Sequence, residues 1–137
     1  MAKKKVRLVS LCNKKGAKGP RRIIEERGEL TILHSKGPVY NPIYFDVHAG
    51  PGLYRGGHYH KKKTENFYII SGACKIRFVD IDSKEEGEVI AGPGDLVTIL
   101  PKCAHILEAM QFCRVIEFST EEIDYQMDTH SYDFDPH

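Results

Sequence analysis

A chain of 137 residues has room for one domain with a real core and too little for two. Its hydrophobic share of 41% and charged share of 28% are those of an ordinary soluble globular protein. The formal net charge of +1 gives no argument for nucleic acid or a membrane as partner, and no apolar run approaches the roughly 18 residues of a membrane-spanning helix.

Taken in order, the chain begins with a basic segment, residues 1–27, which carries ten Lys or Arg against Glu25 and Glu26. The basic tip 1–5 is expected to fray. Val6 to Leu11 is β-prone, and Asn13 to Arg22 is a loop rich in Gly, Pro and basic residues. Ile23 to Arg27 reads equally as a helical turn or a short strand. A turn at Arg27-Gly28 leads into a strand ending near Leu33. Ile43 to Val47 is a strand by its Ile, Tyr, Phe and Val content. Short strands separated by turn signals follow. They are Tyr54–His60, Asn66–Ile70, Ala73–Ile81, Glu88–Ala91, Leu96–Leu100, His105–Met110 and Cys113–Phe118. Ser71-Gly72 closes the second of these, and Leu96–Leu100 is apolar enough to be buried on both sides or nearly so. Ser119 to Ile123 reads as a short helix with Thr120 as its cap.

The last stretch, residues 117–137, holds seven Asp or Glu and no Lys or Arg. Its Tyr125, Tyr132 and Phe134 suit docking on a neighbour better than free disorder. The basic and acidic ends are expected to be solvated and to attract each other weakly, within a chain or across a dimer. About ten short strands bounded by Gly and Pro imply a β-sandwich or barrel. Four cysteines, Cys12, Cys74, Cys103 and Cys113, form no Cys-x-x-Cys pair, which suggests a reducing compartment, most simply the cytoplasm.

The chemistry concentrates between Tyr54 and Gly72. His58 and His60 stand one residue apart and project from one face of a strand, their Cα atoms about 7 Å apart. Glu65 opens the next apolar run, and His105 follows Pro101 at the head of another. Three imidazoles and a carboxylate are a first shell for a divalent transition metal, with Zn, Ni, Fe and Mn all chemically suited. His34, His48, His130 and His137 are read as ordinary core or surface residues. Cys103 is close enough to His105 in sequence to approach the site, but a small buried thiol usually acts as a hydrophobe. Tyr59 points away from the two histidines. Arg55 has a planar fork suited to phosphate or carboxylate, or alternatively pairs with an acidic barrel residue. Lys61, Lys62 and Lys63 either meet a diphosphate or cap a solvated hairpin tip, the second being the commoner arrangement.

Gly56, His58, His60, Glu65 and Gly72 reproduce the first cupin motif, and Gly94, Asp95, Pro101 and His105 resemble the second. In the second motif Pro101 and His105 stand one residue closer than usual, with Cys103 and Ala109 where glycine and asparagine are common. The resemblance implies an all-β fold, a single-domain cupin with a double-stranded β-helix (jelly-roll) barrel and a metal inside the barrel mouth. The domain is expected to span 1–137, with a barrel core at about 28–119, a basic N-terminal segment 1–27 and an acidic aromatic tail 120–137. A narrower resemblance covers most of the chain. Arg27-Gly28-x-Leu30, Tyr44-Phe45-Asp46-Val47, Arg55 to Lys61, Asp124-Tyr125 and Tyr132-Asp133-Phe134 look like the nucleotide-sugar ketoisomerases and related capsule-sugar cupins. In those enzymes the two histidines are implied as acid and base without metal, a role that falls here on His58 and His60. Glu65 and His105 depart from them and resemble the metal-binding cupin domain of capsular-sugar reductases.

These readings lead to a set of expectations. A divalent metal is bound by His58, His60, Glu65 and His105. Arg55 and Lys61 contact a small-molecule ligand, a sugar or sugar nucleotide. The reaction is isomerisation or epimerisation of that sugar in surface polysaccharide synthesis. The protein pairs as a homodimer through sheet edges that would otherwise be exposed. Two other classes stay open: a metal-dependent dioxygenase acting on a small substrate, and a sugar- or metal-binding module without enzymatic activity.

Overall fold

The structure, a computed structural model, describes residues 4–11, 18–122 and 127–134. Among these residues there are ten strands and no helix, so the all-β expectation holds. The strands are β1 (Val6–Ser10), β2 (Arg21–Glu25), β3 (Gly28–Ile32), β4 (Tyr40–Val47), β5 (Tyr54–Tyr59), β6 (Glu65–Asp80), β7 (Glu86–Ala91), β8 (Asp95–Ile99), β9 (Cys103–Ser119) and β10 (His130–Ser131).

The architecture follows from two long strands that bend. β6 and β9 run antiparallel along their whole length, and their register shifts between Ile69 and Cys74. Before the bend, β6 pairs with β8, β8 with β1, and the second half of β9 with β4. After it, β6 pairs with β7, while the first half of β9 pairs with β5 and β5 with β10. The hydrogen-bonded sheet thus doubles over into two layers, β1-β8-β6-β9-β4 and β7-β6-β9-β5-β10. This is the jelly-roll barrel of the cupin type. Its core takes Val6, Phe67, Val97, Ile99 and Val115 from one layer and Cys74, Ile76, Ala91 and Leu107 from the other.

Gly72 makes the bend possible. Its φ is +85°, and a Cβ there would run into the carbonyl oxygen of Phe112 on β9. Only glycine allows that approach at that dihedral. The expected breaks at Ser71-Gly72 and between Met110 and Cys113 are therefore bends within continuous strands, because a bulge uses the same small and polar residues as a turn.

One open local reading is resolved and several others are corrected. Ile23 resolves as strand, in a hairpin β2-β3 joined to the barrel where the Tyr68 hydroxyl donates to Glu29. Residues 119–122 form no helix, and Ile123, like Cys12, lies outside the described residues. β8 is buried at Val97 and Ile99 but only half-buried at Leu96 and Thr98. Lys5 does not fray: its Nζ lies 2.6 Å from Asp80 and 3.0 Å from Asp82, and Val6 beside it enters the core. Lys5 of the basic segment thus meets the β6-β7 turn, and β1, outside the expected core 28–119, is a barrel strand. Residues 127–134 of the tail dock on their own chain, while Tyr125 lies outside the described residues. β10 pairs with β5, the Tyr132 N–H donates to the Gly57 carbonyl at 2.9 Å, and Phe134 sits 5.4 Å from the Arg77 guanidinium.

Candidate metal centre

The site lies between the two layers. β5 supplies His58, which pairs in register with His105 on β9. His60 follows the end of β5, and Glu65 is the first residue of β6, paired into the opposite layer through Ile99. Gly56, at φ +94°, lets β5 approach β9: a Cβ there would sit 2.8 Å from the His105 carbonyl oxygen. The four side chains each direct one ligand atom to a common point, with all four atoms within 4.8 Å of one another. His60, Glu65 and His105 are buried, and His58 stands at the mouth with its side chain 20% exposed.

Two of the imidazoles are held from behind. Nδ1 of His60 donates to the carbonyl of Asp128 at 2.6 Å, and Nδ1 of His105 to the carbonyl of Cys103 at 3.0 Å. A carbonyl only accepts, so both Nδ1 atoms carry the proton and both Nε2 atoms face the centre. The His105 Nε2 lies 3.2 Å from Glu65 Oε1, the His58 Nε2 lies 3.8 Å from it, and the His60 Nε2 is in close contact with it. Glu65 Oε1 and His105 Nε2 are nonetheless buried without a hydrogen-bond partner. Burial favours the neutral acid at Glu65, but the positive charge available at His105 and the proximity of His58 and His60 outweigh it and hold the carboxyl well below its ordinary range. At His105 burial acts to lower the pKa, and the Glu65 charge overcomes it, leaving a net rise. A carboxylate and imidazole nitrogens crowded round one buried point are a donor set that a dication satisfies and one proton does not. The residues fit a divalent metal.

A cavity of about 170 Å³ opens on this cluster, lined by Phe45, Arg55, His58, Glu65, Phe67, His105, Leu107 and Glu117 among others. Larger clefts of about 280 and 360 Å³ lie beside Arg77 and Val39, away from the cluster, and the second is mainly apolar. Arg55 stands at the mouth. Its Nε and Nη2 donate to the Asp46 carbonyl at 3.3 and 3.2 Å, and its guanidinium lies 5.9 Å from the Phe45 ring. Of its two expected partners, a phosphate or carboxylate ligand and an acidic barrel residue, the second is replaced by a backbone carbonyl. Lys61 is exposed and its side chain is not part of the cavity wall.

Lys61 and Lys62 are exposed, as a solvated tip requires, but Lys63 departs from that reading. It is 2% exposed, with Nζ 3.4 Å from Glu117 Oε2. Burial raises the Glu117 carboxyl, the Glu65 charge adds to that rise, and Lys63 offsets only part of it. Asp128, unremarked within the acidic tail, proves to be the group behind His60. Neither had a sequence signal, since both lie in irregular segments without a period to mark the inward face.

The remaining candidates fall outside the cluster. Cys103 serves the site through its carbonyl, and burial pushes its thiol up to about 12. Tyr59 stacks on His130 at 5.2 Å, facing away. His34 packs against Phe118 and His48 against Phe112, while His137 lies outside the described residues.

Similar proteins share this frame. The 3,4-ketoisomerase QdtA from Thermoanaerobacterium thermosaccharolyticum, solved in complex with TDP, matches with a TM-score of 0.69 at 21% identity, over 91% of this chain and 86% of that one. The capsular polysaccharide assembling protein CapF from Staphylococcus aureus matches with a TM-score of 0.60 at 22% identity, over 88% of this chain and 34% of CapF. A UDP-2-acetamido-2,6-beta-L-arabino-hexul-4-ose reductase of Pseudomonas aeruginosa is 47% identical over 38 residues, which is 28% of this chain and 10% of the reductase. Residues 24–127, most of the described barrel, match the polysaccharide biosynthesis C-terminal domain, and the chain belongs to that family.

Proposed function

We propose that the protein binds a divalent transition metal through His58, His60, Glu65 and His105 and isomerises or epimerises a keto sugar, nucleotide-linked, for polysaccharide biosynthesis. The observation that carries the metal is the convergence of three Nε2 atoms and one carboxylate oxygen, with His60 and His105 backed by carbonyls. Such backing is characteristic of ligating histidines, because it fixes the ring and its tautomer. The sugar reading draws on the family, together with ketoisomerase and capsule-sugar fold-mates.

The cavity sets how a substrate sits. About 170 Å³ is below the roughly 300–1,000 Å³ of a pocket for a drug-sized ligand, so a sugar ring enters and a nucleotide stays outside. Arg55, at the mouth, then faces the diphosphate with its fork. Phe45, Phe67 and Leu107 exclude water from the ring's inner face. His58, the most exposed of the three imidazoles, is the one a substrate reaches first. A bound dication would supply Lewis acidity toward a carbonyl or hydroxyl oxygen.

A second reading rests on His58: among the described residues no carbonyl backs its ring. That freedom suits an imidazole that moves a proton, with His60 its neighbour at 4.9 Å between ring centroids, in a site without metal.

Elemental analysis of the purified chain separates these. One equivalent of metal in the wild type, lost in His105→Ala, is the expected result. Metal-free wild type that still turns over a dTDP- or UDP-linked keto sugar would transfer the chemistry to His58 and His60. Oxygen consumption coupled to turnover would replace both with a dioxygenase. Ligand affinity without turnover of any keto sugar would leave a binding module.

A further inference from the structure

We infer that Asp128 is a positioning residue for the metal centre, and that residues 127–134 act as a strap holding His60 in its ligating orientation. The inference rests on the metal reading above and adds to it a residue from the far end of the chain. The Asp128 carboxylate accepts three consecutive backbone N–H groups: Lys61 on Oδ1 at 2.9 Å, then Lys62 and Lys63 on Oδ2 at 3.0 and 3.1 Å. Successive N–H groups turned inward form a concave anion site, and here the anion is supplied from within the chain. The carbonyl of the same residue accepts the His60 Nδ1 proton at 2.6 Å. One residue therefore grips both the imidazole and the three residues that follow it.

The grip is anchored beyond Asp128. His130 pairs with Tyr59 and Ser131 with His58, so the strap lies along the strand that carries the ligands. Tyr59 stacks on His130, and the Tyr132 N–H donates to Gly57. Asp128 is buried, at 6% exposure, which removes water as a competitor for its bonds. A mutation at Asp128 spares the carbonyl but frees it: without the carboxylate, nothing in the 61–63 turn holds that carbonyl opposite Nδ1. His60 then gains rotational and tautomeric freedom, and a ligating nitrogen is no longer presented ready-made. Losing a partner behind a ligating histidine typically costs 10–100-fold in metal affinity.

The test uses the full chain and two readouts. Ring ¹⁵N shifts of His60 in metal-free protein report its tautomer. The wild type is expected to be protonated at Nδ1, and Asp128→Ala to show a mixture. Titration with Co²⁺ then reads affinity and, through the visible spectrum, coordination geometry. Asp128→Ala is expected to bind about 10–100-fold more weakly with an altered spectrum. Asp128→Asn keeps one acceptor oxygen and should fall between. A folded Asp128→Ala with the wild-type tautomer, Co²⁺ affinity and spectrum overturns the inference. If that variant is unfolded by circular dichroism, Asp128→Asn carries the test with the same outcomes. Wild type that takes up no Co²⁺ defeats the metal reading instead, while the ring shifts still decide whether Asp128 positions His60.

Discussion

The Lys63–Glu117 pair is set where a stability device would be poor. Both residues are buried, at 2% and 7% exposure, and removing two charges from water costs several kcal/mol per ion. The pair also stands beside Glu65 at the cavity wall, where another carboxylate repels it. Lys63→Ala leaves the Glu117 charge buried and uncompensated. Urea unfolding should register a loss of about 3–5 kcal/mol. Lys63→Met combined with Glu117→Leu should regain most of that loss, since a well-packed apolar pair commonly matches a buried ion pair. If the double variant is no better than Lys63→Ala, the pair contributes net stability. At this scale the candidate metal ligands were legible because their spacing is itself chemical: two histidines at strand period, then a carboxylate, then a third histidine. Lys63 and Asp128 were not. A lysine run and an acidic tail look solvated in sequence, and only the closure of the strap onto residues 61–63 turns one lysine inward.

At the scale of elements, the determining feature is a strand that serves both layers. β6 and β9 each cross from one layer to the other, and their register shifts cluster at the crossing. Apolar content revealed the halves, with a clear apolar-polar alternation in the second half of β6, from Cys74 to Phe78. It did not reveal their continuity, since Ser71-Gly72 reads as a chain reversal and a bulge alike. The left-handed Gly72 decides it physically. Placing Ala there incurs a left-handed backbone cost of about 1–2 kcal/mol. It also pushes a methyl into β9, and overpacking of that kind costs about 1–3 kcal/mol. Gly72→Ala should therefore lower stability by a few kcal/mol in urea melts and weaken Co²⁺ binding, since the crossing holds Glu65 opposite His105. Gly92→Ala is the matched control. No atom lies within 4 Å of its built Cβ and its φ is not left-handed, so little change is expected. Equal losses at the two glycines would show that the bend is not special.

Across the whole molecule, the first and last described strands close the barrel, one on each layer. β1 completes the edge beyond β8, and β10 completes the edge beyond β5. Charge composition hid both, because the basic and acidic segments resemble free tails. Lys5 makes the first closure sensitive to pH. Burial acts against the charged forms of Lys5 and Asp80. Asp80 and Asp82 together outweigh it at Lys5, and Lys5 with the N–H groups of Asp82 and Ser83 outweighs it at Asp80, raising Lys5 above 10.5 and lowering Asp80 below 3.8. A lowered carboxylate contributes stability above its unfolded pKa and loses it as pH falls through the folded value. A raised lysine contributes below its unfolded pKa and loses that contribution as pH rises through the folded value. The contribution is therefore full between the two ordinary values and fades on both sides. Asp80 also accepts the N–H groups of Asp82 and Ser83 at 2.9 and 3.3 Å, so it keeps partners when Lys5 is removed. The variant Lys5→Met removes the ammonium from Asp80, Asp82 and the Lys102 carbonyl together. Its stability deficit against wild type should be about 0.5–1 kcal/mol from pH 5 to 9. It should shrink below about pH 4 and above about pH 10.5. Stability measured by urea at each pH gives the profile directly. A deficit that stays constant into acid would mean that Lys5 acts through the packing of its stem against the β6-β7 turn, and that charge plays no part in securing β1.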